Sequence, residues 1–211
     1  MSNICEHLHH LFGQLPAFGF PFDFDKLPRN GIYILFELGE SAHETKRVVR
    51  IGTHTGQNQL PSRLQEHFAK ENKDRSIFRK NIGRAILNKT NDPFLVQWDI
   101  DLTTSHAKIT NSGKIDQIRI KAVEKQVTNY IQQNFQFVVF SVADKEKRLH
   151  LESAIISTVS LCDKCQPSVD WLGLHSPVEK IRESGLWLVN GLYKTPLFER
   201  EFDELKCAVI S

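Results

Sequence analysis

Asn30 to Glu40 reads NGIYILFELGE, Arg47 to Gly56 reads RVVRIGTHTG and Leu60 to Phe68 reads LPSRLQEHF; these three pieces decide how the 211-residue chain folds. GIYILFEL (Gly31 to Leu38) and KRVVRIG (Lys46 to Gly52) are rich in β-branched and aromatic residues, which suit a pleated, buried surface. They read as two strands, paired antiparallel across a polar connection containing Gly39 and Glu40. Pro61 suits the first turn of a helix, and Leu64 and Phe68 then recur at the spacing of a buried stripe. Arg63 and His67 share that spacing one position earlier, so they line up at the edge of the stripe, where a site can form.

Before this stretch, residues 1–29 read as an arm. Phe18, Phe20, Phe22 and Phe24 alternate with small or polar residues, giving a strip with one phenylalanine side, and Pro16, Pro21 and Pro28 disfavour regular ladder pairing. The strip is expected to pack across the core. After it, Ser76 to Leu87 reads as a helix with Phe78, Ile82, Ala85 and Ile86 inward and Arg75, Arg79, Lys80 and Arg84 around the rest, a plausible contact for a DNA backbone. Asp92 to Ile100 suggests a strand, Leu102 to Gln117 with Asn111, Ser112 and Gly113 a loop, and Ile120 to Ile131 a helix. Phe135 to Val142, FQFVVFSV, is the third clear strand.

The helix expected over 145–160 holds an oddity. Leu149, Leu151, Ile155, Ile156 and Val159 form its apolar face, and a step of about 100° per residue puts Glu152 in the middle of it. An unpaired carboxylate there is costly, so it calls for a buried cation or a metal ion. Beyond Leu161 the pieces shorten. Ser176, Pro177, Glu179 and Gly185 predict a short helix over 177–184, bracketed by Trp171 and Trp187 as packing anchors.

Composition sets bounds. Forty per cent hydrophobic and 25 per cent charged residues fit a soluble globular chain, and no apolar run approaches the roughly 20 residues that span a bilayer. The N-terminal residues carry no secretory pattern, so the expected compartment is the cytoplasm, where Cys5, Cys162, Cys165 and Cys207 stay as thiols. Net charge is only +2, but Leu60 to Thr90 carries eight Lys or Arg against three acids, a local +5 that leaves −3 elsewhere. Such a segment is a candidate contact for phosphate, or simply a solvated helix face. Cys162 and Cys165 form a CxxC pair. A zinc site needs four ligands, and only His175 and Cys207 suggest themselves as additions.

Taken together, Gly31–Ile32–Tyr33, the later Arg50–Ile51–Gly52, the RLQEHF helix with Arg63 and His67, and a further helix bearing Glu152 resemble the GIY-YIG nucleases. The pattern spans roughly residues 30–160, and SIFRKNIGRAIL and HSPVEKIRESGLWLVNGL look like segments of stand-alone bacterial members. The resemblance implies an α+β fold in which a small three-stranded antiparallel sheet is flanked by helices. The N-terminal arm would occupy 1–29, the nuclease domain 30–160 and a C-terminal extension 161–211. It also implies a DNA endonuclease, restriction-like or repair-like, acting on double-stranded DNA with Mg²⁺ or Mn²⁺, with a dimer one option.

Residue by residue, the resemblance makes Tyr33 the first motif tyrosine, Arg63 the phosphate-binding arginine, His67 the histidine one turn later, Glu152 the metal ligand and Asn190 the family's asparagine. Tyr33, with His67 or His54, would activate water, and Arg75, Arg79, Lys80 and Arg84 would bind the DNA backbone. Arg50 stands where the second motif has its tyrosine. Arginine has no acceptor and stays charged, so its role there is electrostatic. That departure leaves open a second reading, a module of the same fold that binds nucleic acid without cutting it.

Overall fold

The computed structural model describes residues 3–111 and 113–210. The helices and strands follow in the order α1 (Ile4–Gly13), β1 (Phe18–Gly19), β2 (Gly31–Ala42), β3 (Thr45–Gly52), α2 (Leu60–Phe68), α3 (Ile77–Lys89), α4 (Leu95–Asp99), α5 (Ser105–Asn111), α6 (Gln117–Asn134), β4 (Phe135–Ser141), α7 (Lys145–Ser160), α8 (Glu179–Ser184) and α9 (Glu199–Ile210). The strands form one antiparallel sheet in the order β1-β4-β2-β3.

Alternation along the strands divides the core into two layers. Ile32, Ile34, Phe36, Val48, Ile51, Val138 and Phe140 face a layer built by α1, α7 and α9. Tyr33, Leu35, Val49 and Phe137 face α2, α3, α6, Trp171 and Trp187. Central strand β2 is therefore covered on both sides. A bulge in β3 leaves Val49 without a partner, between the pairs Leu35↔Arg50 and Phe36↔Val48. Arg50, opposite Leu35 in the regular part of the ladder, shares the face of Tyr33, and the bulge turns Val49 to that face as well.

Three expectations change. The sheet has four strands rather than three, because Phe18 and Gly19 pair with Phe137 and Gln136 on the outer edge of β4. Pro16 and Pro21 confine this addition to two residues, and an edge is where prolines are tolerated. The phenylalanine strip does pack on the core, with Phe18 stacked on Phe137 at 5.3 Å and Phe22 edge-on to Phe68 at 5.5 Å. The segment 92–100 is not a strand. Asp92 Oδ1 accepts the Phe94 N–H at 2.9 Å, helix α4 follows, and Trp98 lies against Gly83 and donates from Nε1 to Lys80 O at 2.9 Å. The expected loop over 102–117 contains α5, opened by Thr104 Oγ1 accepting the Ala107 N–H at 3.1 Å; its Ser112 lies outside the described residues.

A fourth change concerns charge. Arg79 does not face solvent: it is fully buried and donates to Glu124 Oε2 from both Nε (3.1 Å) and Nη2 (2.7 Å), to Thr128 Oγ1 and to His67 O. The pair locks α2 and α3 onto α6. Lys80 is also buried, and Arg84 is held by Asp99 at 2.5 Å and Asn81 at 2.8 Å. The apolar stripe sets which side faces the core, but a long cation at its border reaches inward when a buried acid waits there. Arg75 alone of the four proposed DNA contacts is well exposed. Among the described residues, no helix is long and apolar enough to cross a membrane.

Truncating Glu124 strands the Arg79 charge in the core. Glu124→Ala is expected to cost about 3–5 kcal/mol in urea unfolding; a loss below about 1 kcal/mol would show that the pair does not hold these helices.

Candidate active site

The two motif glycines show why the strands carry their pattern. A Cβ at position 52 would lie 2.2 Å from Tyr33 Oη, and one at position 31 would lie 2.1 Å from Phe140 O. Glycine at 52 makes the room in which the Tyr33 phenol sits, opposite it in the β2–β3 register.

Tyr33 is fully buried. Its Oη lies 2.8 Å from His67 Nε2 and accepts from Arg50 Nε at 3.4 Å. His67 Nδ1 lies 2.7 Å from Ser76 Oγ, which also accepts the Arg79 N–H as the N-cap of α3. The imidazole thus bridges two hydroxyls and can pass a proton between them. Burial lowers the His67 pKa well below its ordinary 6.5, and the charges of Arg63, Arg50 and Arg79 lower it further, so the ring stays neutral.

Arg50 is buried, donates from Nη1 to Trp187 O and lies over the Phe78 ring at 5.2 Å. Its guanidinium forms part of a cavity of about 370 Å³ at the edge of the sheet, between the helical layers. Arg63, Asn81, Glu152 and Asn190 line the same cavity. Arg63, about one-quarter exposed, donates from Nη1 to Glu66 at 3.2 Å and to Arg75 O at 3.1 Å. The segment Trp187–Gly191 closes one wall, anchored by Trp187 N–H donating to Val49 O at 2.8 Å on edge strand β3.

Glu152 projects from α7, half-buried, and its Oε1 accepts the Thr53 N–H at 2.9 Å. No ion pair among the described residues involves it. Burial raises its pKa, opposed by the charges of Arg50, Arg63 and Arg148 and by the Thr53 hydrogen bond. A carboxylate with one oxygen uncommitted in a cavity fits Mg²⁺, which is held by one or two carboxylates and completes its shell with waters and phosphate.

The structure thus gathers Arg50, Arg63, Glu152 and Asn190 around one cavity, with Tyr33 and His67 directly behind Arg50. His54 is not among the residues lining this cavity: Nδ1 lies 2.7 Å from Gly56 O and Nε2 accepts the Gly31 N–H at 3.4 Å, so both nitrogens contact the backbone. Sequence reading passed over Ser76, Thr53 and Asn81. Ser76 was hidden by its ordinary role as a cap. Asn81 did leave a signal, a polar residue beside Phe78 and Ile82 on the inward face of α3; its Nδ2 is buried with no hydrogen-bond partner among the described residues.

The buried His67 binds a proton more weakly than it does in the unfolded chain, so between its folded pKa and about 6.5 the unfolded chain holds more protons and stability rises with pH. As pH rises toward about 6.5, wild type should gain stability over His67→Gln, with a slope of up to about 1.4 kcal/mol per pH unit that levels off above it. Equal slopes in urea titrations of the two proteins would refute this assignment.

No curated protein and no solved structure matches the chain. The family model for the GIY-YIG domain matches residues 4–209, a span that takes in α1 and most of α9 as well as the glycine–tyrosine strand, the edge strand and the Glu152 helix. The chain belongs to the GIY-YIG nuclease superfamily.

Proposed function

We propose that the protein is a divalent-metal-dependent endonuclease that hydrolyses phosphodiester bonds in double-stranded DNA, in a reducing, cytoplasmic setting where its cysteines are thiols. One observation carries this reading: Glu152, a half-buried carboxylate without an ion-pair partner among the described residues, shares a cavity with two arginines. Such an arrangement suits an anionic substrate bridged to the carboxylate by a cation. When bound, Mg²⁺ or Mn²⁺ polarises the phosphate and stabilises charge on the departing oxygen.

The protein's own groups divide the remaining work. Arg63 and Arg50 meet the phosphate and offset its developing charge, and Asn81 offers an N–H donor in the same cavity. Arg50 replaces the electrostatic part of the missing tyrosine, not its proton chemistry. Tyr33 Oη takes the proton of the attacking water as its own proton moves to His67 Nε2, and because burial and three arginines disfavour the imidazolium the proton returns along the same pair to the departing oxygen. Asn190 and the exposed Arg75 contact the DNA backbone beyond the scissile bond.

The full burial of Tyr33 favours one rival, a module that binds DNA without cutting it. Supercoiled plasmid with Mg²⁺ or Mn²⁺ separates the two. Nicking is expected, and Glu152→Ala should slow it at least ~100-fold while leaving DNA binding in place. Binding without nicking across plasmid, linear and branched DNA would decide for the rival. Arg75→Ala should weaken binding evenly across sequences and reduce the salt-dependence slope by about 1; an unchanged slope would remove Arg75 from the interface.

A further inference from the structure

Away from this cavity, at the opposite end of β3, three distant segments bring thiols and imidazoles together. Cys5 and His9 lie one turn apart on the buried face of α1. His43 occupies the two-residue turn between β2 and β3, where His43 and Glu44 both adopt left-handed backbone, at φ 50° and 60°. Cys162 and Cys165 follow α7 in a tight turn closed by Cys165 N–H donating to Cys162 O at 3.3 Å.

Their side chains converge on one point. Cys165 Sγ lies 3.4 Å from Cys5 Sγ and 3.4 Å from His43 Nε2, and Cys162 Sγ lies 3.4 Å from the same His43 nitrogen. With Zn–S near 2.3 Å and Zn–N near 2.0 Å, tetrahedral angles separate two sulfurs by about 3.8 Å and a sulfur from a nitrogen by about 3.6 Å. The observed separations fall within a few tenths of these values. His9 is a neighbour of different character. Its Nδ1 lies 2.8 Å from Cys5 O and its Nε2 accepts the buried Val48 N–H at 3.2 Å, so ligation through Nε2 would orphan that donor. A cavity of about 410 Å³, lined in part by Ile4, Cys5, His43 and Cys162, gives an ion a way in.

We infer that Cys5, His43, Cys162 and Cys165 form a structural zinc site, with His9 holding the Cys5 turn behind it. Three thiolates and one imidazole in a closed tetrahedral set select zinc over the hard cations suited to Glu152. The ion would tie the N-terminal helix, the β2–β3 turn and the segment after α7 into one unit. The ligand atoms of Cys5, His9, His43 and Cys165 all lie within 4.8 Å of one another, and Cys162 joins them through His43; His175 and Cys207, the partners suggested by sequence, are not among them.

The test is elemental analysis of the full chain expressed with zinc and purified under reducing conditions without chelator. About one zinc per chain is expected, falling below ~0.2 in Cys162→Ser and Cys165→Ser and staying near one in Glu152→Ala and His9→Gln. Replacing zinc with Co²⁺ in the wild type should produce tetrahedral ligand-field bands with thiolate charge transfer, a readout that does not depend on any variant folding. Three results would overturn the inference: no zinc retained after reconstitution with no tetrahedral cobalt spectrum, a disulfide among Cys5, Cys162 and Cys165 in the reduced preparation, or zinc lost in His9→Gln but kept in Cys162→Ser.

Discussion

Because β2 is covered by helices on both faces, any polar group that its side chains carry must find its partner inside the protein. Much of the structure follows from that constraint. Tyr33 is answered by His67 and Arg50. Glu37 accepts from Trp171 Nε1 at 2.7 Å, Trp187 Nε1 at 2.8 Å and Tyr130 Oη at 2.5 Å, donors that oppose the rise in its pKa caused by burial. Glu40 takes Arg47 and the Ser168 N–H. The bonds to Tyr130, Ser168, Trp171 and Trp187 reach segments remote in sequence, so the sheet fixes where these parts of the C-terminal half lie.

The candidate site lies beside edge strand β3. This strand sits between the two helical layers, and a carboxylate from α7 and an arginine from α2 meet in the cavity beside it. The wall formed by Trp187–Gly191 depends on Glu37 as well, since Trp187 is held by its indole below and by its backbone on Val49 above. Arg50 joins both systems: its guanidinium is tied to Tyr33 and Trp187 yet also lines the cavity. A tyrosine in its place would offer one hydroxyl; the arginine offers a fixed fork of donors and a permanent charge.

Charge distribution is the point on which local reading and folded structure part most clearly. Of the cations between Leu60 and Thr90, Arg63, Lys73, Arg79 and Arg84 are each held by a carboxylate of the protein itself. Half of the cations in the positive stretch are therefore already paired within the protein. Nothing in the spacing of those residues distinguishes a cation that faces DNA from one that faces Glu124, because the two differ only in what stands opposite.

By itself the sequence determined the three long strands, most helices and the family pattern, since these rest on local periodicity, capping residues and glycines that a neighbouring side chain requires. It located α7 at 145–160 and marked Glu152 as misplaced on an apolar face, for burial of a charge is a cost visible in one helix. Tertiary structure alone decided the rest. It turned Arg79 inward, placed Arg50 beside Tyr33 through the β2–β3 register, enlisted Ser76 and Asn81, and brought Cys5 and His43 to the CxxC turn. These are contacts between residues tens of positions apart, set by how layers pack rather than by any repeat along the chain, and a single sequence holds no record of which distant partner will stand opposite.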